Sequence, residues 1–89
     1  MDSTCLMKKT HSAKQKNLIG KRVRDARLKC QPPVSQDDLA GKLAAKGIML
    51  DQTAISRIEN QTRYLMDYEI IALARSLKVS VAWFFGEQN

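Results

Sequence analysis

Residues 35 to 60 read Ser-Gln-Asp-Asp-Leu-Ala-Gly-Lys-Leu-Ala-Ala-Lys-Gly-Ile-Met-Leu-Asp-Gln-Thr-Ala-Ile-Ser-Arg-Ile-Glu-Asn, and their start and stop signals decide the fold. Ser35 is a strong helix N-cap. Asp38, three residues on, completes a shortened capping box, and Asp37 sits in the positive first turn. Leu39, Ala40, Leu43 and Ala44 then recur at helical spacing, and the two alanines are small enough to let a second helix axis approach closely. Gly47 is a natural C-terminal stop and Asp51 a second N-cap. The helix that follows carries Ala54, Ile55 and Ile58 on one inward stripe. The stretch therefore reads as two short capped helices joined by a glycine-bearing turn.

The second helix leaves Gln52, Thr53, Ser56 and Arg57 facing outward. These side chains are short or planar, carry hydrogen-bond donors and mostly acceptors, and lie near the helix start, the end that enters a DNA major groove. A guanidinium such as that of Arg57 spans guanine O6 and N7, and the Gln52 amide can do the same for adenine. A polar face of this composition is also ordinary solvated surface. It is the capped helix in front of it that favours a reader of base edges.

Outside this pair, Gln15 to Lys29 reads as a first helix with Ile19, Val23 and Ala26 inward, ended by the linker Cys30-Gln31-Pro32-Pro33-Val34. The connection from Ala44 to Leu50 exceeds the three or four residues of a compact turn. It must extend the helix and then loop, with Ile48 and Leu50 pinning it to the core on either side of Met49. Thr62 to Met66 leads to a helix beginning near Asp67 with Ile70, Ile71, Ala74 and Leu77 as its stripe. Ser80 caps a last short helix carrying Val81, Phe84 and Phe85. No internal repeat or strand pattern is present. The expected fold is all-α with five helices over residues 15–89, preceded by an aperiodic basic arm over residues 1–14 that reads as disordered.

Several of these fragments resemble one family in the same order. Ser35 to Ala40 followed by Thr53 to Asn60, with Gly20 to Arg27 upstream and Ile70 to Gly86 downstream, is similar to the lambda-repressor-like, or XRE-type, helix-turn-helix family. That resemblance implies a compact five-helix domain, here with an extended turn, which binds double-stranded operator DNA and regulates transcription, often as a two-fold homodimer. It places Gln52, Thr53, Ser56 and Arg57 at base edges and Gln36 where a side chain reaches phosphate and braces the reader. It puts Asn60 on the DNA backbone and pairs Arg27 with Glu59 to tie the first helix to the reader. The basic residues Lys21, Arg22 and Arg63 complete the expected backbone contacts. Gln61 stands where the family often has glycine, so Asn60 or Gln61 must adopt the left-handed cap conformation.

Charge location sharpens this division of labour. The chain has 89 residues and a formal charge of +6. Residues 1–34 hold nine lysines and arginines against two acids, and the remainder six against seven. The arm, with Lys8 and Lys9, and the first helix are thus expected to neutralise phosphate while the nearly neutral reader discriminates. Basic tails of this sort are also common as solubilising segments. No apolar run approaches the ~20 residues of a membrane span, and no signal peptide is evident, so a cytoplasmic protein without a membrane role is expected.

Other chemistries are poorly supplied. His11 is the only histidine and Cys5 and Cys30 are far apart, so neither a metal site, nor a cofactor, nor a catalytic set is expected, and Asp37 and Asp38 are explained by capping. No enzyme is assigned. The rival reading is a protein-interaction module of the same fold, such as an antitoxin, because Trp83, Phe84 and Phe85 cannot all turn inward from one short helix. One of them, with Tyr64, Leu65 or Met66, would form an apolar patch for a protein partner.

Overall fold

The structure, a computed structural model, describes residues 15–86, so the expected arm over residues 1–14 lies outside the described residues. Five helices follow one another with no strand among the described residues: α1 Gly20–Lys29, α2 Gln36–Ala44, α3 Gln52–Glu59, α4 Asp67–Leu77 and α5 Val81–Phe84. The expected caps account for most of their starts. The Ser35 hydroxyl accepts the Asp38 N–H at 3.0 Å and the Asp38 carboxylate accepts the Ser35 N–H at 3.3 Å. Asp51 accepts the Ala54 N–H at 2.8 Å, and Ser80 accepts the Trp83 N–H at 3.0 Å. Each satisfies a donor that the first helical turn leaves without a partner.

Three helices end in the same way. In each, a residue at positive φ lets the next N–H reach back five residues: Ile48 to Leu43 O after Gly47, Thr62 to Arg57 O after Gln61, and Val79 to Ala74 O after Lys78. Only the first uses glycine. The loop after Gly47 is pinned as expected, with Leu50 buried, Ile48 half-buried and Met49 83% exposed between them.

The core gathers Ile19, Val23 and Ala26 beside α3, Leu39 and Leu43 from α2, Ile55 and Ile58 from α3, Leu73 and Leu77 from α4, and Phe84. α3 packs between α1 and α2, while α4 lies across both α1 and α2 and carries α5. Burial therefore fixes α3 from two sides and leaves its remaining face outward.

Four expectations are corrected. α1 starts at Gly20 rather than Gln15, because the segment before it is tied to the end of α3: the Lys16 N–H donates to Gln61 O at 2.9 Å, and the Asn17 carboxamide accepts the Gly20 N–H at 2.7 Å. Ala44 is exposed, so the close approach of α2 rests on Leu39, Leu43 and half-buried Ala40. The α4 stripe is only half as expected: Ala74 and Leu77 are buried, but Ile71 is exposed and Ile70 half-buried, and Glu69, Ala72, Leu73 and Ser76 also face in. Glu69 is held there by polar partners described below. The last helix ends at Phe84, so Phe85, expected on it, follows it; Phe84 enters the core while Val81 and Phe85 stay largely outside, in keeping with the expectation that the three aromatics cannot all turn inward.

Gly20 shows how tertiary contact reverses a local rule. Glycine within a helix costs roughly 1 kcal/mol relative to alanine. A methyl group at Gly20, however, would run into the Ile58 carbonyl, backbone that cannot move aside cheaply, with Gln61 also at its packing limit. Gly20→Ala is therefore expected to lower stability by about 1–2 kcal/mol, overpacking outweighing the propensity gain. Urea titration checks the sign, and a stabilised variant would contradict the close packing of α1 on α3.

Candidate nucleic-acid interface

The exposed face of α3 is supported by a polar chain that begins in the core. Arg27 on α1 and Glu59 at the end of α3 are both buried and meet through two bonds, Nε to Oε2 at 2.8 Å and Nη2 to Oε1 at 2.9 Å. Arg27 Nη1 also donates to Val34 O at 3.0 Å. The hydrogen bond to Glu59 raises the Arg27 pKa against the opposing effect of burial, and the Glu59 charge adds to it. A fork-shaped guanidinium on a carboxylate fixes the geometry as well as the charge.

The chain continues outward. Gln36 at the start of α2 donates from Nε2 to Glu59 Oε1 at 3.0 Å, and its own Oε1 accepts from Gln52 Nε2 at 2.6 Å. One N–H of the Gln52 amide is thereby used, leaving a carbonyl oxygen and a second N–H. That pair matches the N6 donor and N7 acceptor of adenine. The bracing part of the Gln36 expectation is thus present in the geometry, and Arg27 pairs with Glu59 as the family resemblance implied.

Gln52, Thr53 and Arg57 are exposed and Ser56 is half-buried, so the four expected readers share the outward side of α3. Arg57 sits one turn after Thr53, and its guanidinium is held by no hydrogen bond or ion pair among the described residues. Asn60 is exposed and right-handed at φ −83°, while Gln61 takes the left-handed position at φ 64°. Gln61 is buried, and its Nε2 donates to Asn17 O at 3.2 Å. The side chain thus has a tertiary reason to stand where glycine would relieve backbone strain.

The expected backbone set divides. Lys21 is exposed, but Arg22 stacks on Trp83 with its guanidinium carbon 4.5 Å from the ring centroid. Arg63, expected at phosphate, spends its guanidinium on Glu69 at 3.1 and 3.3 Å and on Tyr64 O at 2.9 Å. Sequence reasoning missed Asn17, whose carboxamide donates to Ile58 O at 3.1 Å and Arg63 O at 2.8 Å and so fastens the end of α3 to the start of α1. The available signal was an asparagine three residues before the glycine that opens an apolar stripe.

Glu69 gives this edge a pH dependence. Burial pushes its carboxyl up, but the Arg63 hydrogen bond, the Met66 N–H at 3.0 Å and the Arg63 charge together hold it below its ordinary value. A carboxylate whose pKa is lowered by folding contributes stability above its unfolded pKa, about 4.3, and loses it as pH falls through the lowered folded value. The difference in melting midpoint between the protein and Glu69→Gln should be full at about pH 6 and shrink below about pH 4.3. A difference that stays constant across that range would contradict the pairing.

Among the described residues no cluster of three or more histidine, cysteine or acidic side chains is placed to hold a metal ion, and no helix is long and apolar enough to cross a membrane. His11 and Cys5 lie outside the described residues, and Cys30 is a half-buried free thiol whose Sγ lies 3.3 Å from Ala26 O. Of the C-terminal aromatics Phe84 is buried, Trp83 half-buried and Phe85 exposed, as are Tyr64 and Met66, while Leu65 is half-buried. No protein-family model, curated protein or solved structure matches this chain.

Proposed function

We propose that this chain is a non-enzymatic, sequence-specific binder of double-stranded DNA, a lambda-repressor-like helix-turn-helix domain with an extended turn that sets α3 into the major groove. Its particular role in this reading is that of a cytoplasmic transcriptional repressor which binds a two-fold operator as a homodimer and acts by occlusion. The observation that carries the reading is the bonded chain from buried Arg27 through Glu59 and Gln36 to Gln52. It holds the base-matching Gln52 amide on an exposed helix face, so that side chain has little freedom left to lose on binding, beside an Arg57 that has no hydrogen bond or ion pair among the described residues. Gln36, Asn60 and Lys21 are assigned to phosphate, and Thr53 and Ser56 to base edges.

Selection of bound sequences from a random duplex library, with the winner titrated at two salt concentrations, tests this. A recovered two-fold repeat bound far more tightly than random duplex supports a dimeric operator binder. Absence of enrichment would favour the second reading, a protein-interaction module such as an antitoxin, for which the exposure of Tyr64, Met66 and Phe85 is the favouring observation.

A further inference from the structure

The ends of α1 and α4, the Cys30–Val34 linker and Trp83 of α5 enclose an open groove of about 660 Å³. That volume suits one small organic molecule. Val34, Leu77, Val79 and Trp83 give it apolar walls, and Lys29, Lys42 and Lys78 stand around it against a single carboxylate, Asp38. Asp38 is turned to the Ser35 N–H as part of the α2 cap. None of the three ammonium groups is held in an ion pair among the described residues, although Lys29 Nζ lies 5.6 Å from the Trp83 ring centroid. The groove therefore presents apolar surface under an uncompensated positive rim, a field that concentrates anions.

We propose that this groove is a binding site for a small amphipathic organic anion, its apolar body against Val34, Val79 and Trp83 and its acidic head among the three lysines. Its wall includes the linker whose Val34 carbonyl holds Arg27, so occupancy also stiffens the connection between α1 and α2.

Trp83 is the only tryptophan, which supplies a reporter in the wall. The full chain is titrated with 8-anilinonaphthalene-1-sulfonate, an aromatic anion, and with neutral N-phenyl-1-naphthylamine, following energy transfer from Trp83. Saturable binding at one site is expected, with the anion preferred by about tenfold, the scale of one charge-assisted hydrogen bond. Because a dye anywhere on so small a domain accepts energy, the triple variant Lys29→Gln/Lys42→Gln/Lys78→Gln assigns the site: it should abolish the preference while remaining folded by circular dichroism. Equal affinity for the two dyes, or a preference that survives the lysine variant, would overturn the proposal, as would an absence of saturable transfer.

Discussion

Arg27→Met should lower the stability of the domain by about 3–5 kcal/mol, because it leaves the Glu59 carboxylate buried without its counter-charge. A domain of this length has only about 5–10 kcal/mol to lose. With a urea dependence of about 1 kcal/mol per molar, the midpoint should fall by roughly 3–5 M. The mechanism is checked by the double variant Arg27→Met/Glu59→Leu, which removes both charges and should recover most of the loss. Gln36 would lose its acceptor in that variant, but it is only half-buried and can turn to water. A double variant as unstable as the single one would show that packing by the arginine stem, rather than the unpaired carboxylate, sets the cost. On the proposed function, the double variant should also bind operator less well despite being folded, since Gln52 would be steered by a Gln36 that is no longer anchored.

The second large effect concerns recognition. On the proposed function, Arg57→Ala should cost about 1–3 kcal/mol on the selected operator, a roughly 5- to 150-fold loss, and relax the preference at one base pair of each half-site. Stability should barely change, because the guanidinium is exposed and bonded to nothing else among the described residues. Lys21→Gln should behave differently, weakening every duplex alike and flattening the salt dependence by about one ion. Identical losses from the two variants on operator and random duplex would sink the separation between reading and neutralisation.

Gln36 and Gln52 show how much of the site was legible beforehand. Their residue types and their places at two helix starts were readable, because Ser35 and Asp51 mark those starts within three residues of chain. That the two amides bond to each other at 2.6 Å was not, since sixteen residues and an extended turn separate them. Arg63 and Glu69 are the opposite case. A cation beside the reader looked free for phosphate, and only the burial of Glu69 on α4 revealed the carboxylate six residues on that takes it.

What the sequence by itself determined is the part written in local chemistry: the caps at Ser35, Asp51 and Ser80, the turn at Gly47, the apolar stripes of α2 and α3, and the linker at Pro32 and Pro33. Each of these is a bond or a steric limit closed within about one helical turn, so neighbouring residues specify it. The tertiary structure decided the late start of α1, the register of α4, the left-handed Gln61 and the orientation of Gln52. Those depend on partners far away in the chain, as when Asn17 bonds to carbonyls 41 and 46 residues on. A buried carbonyl at the end of α3 must find a donor from whichever element packs beside it, and that neighbour exists only once the core has assembled.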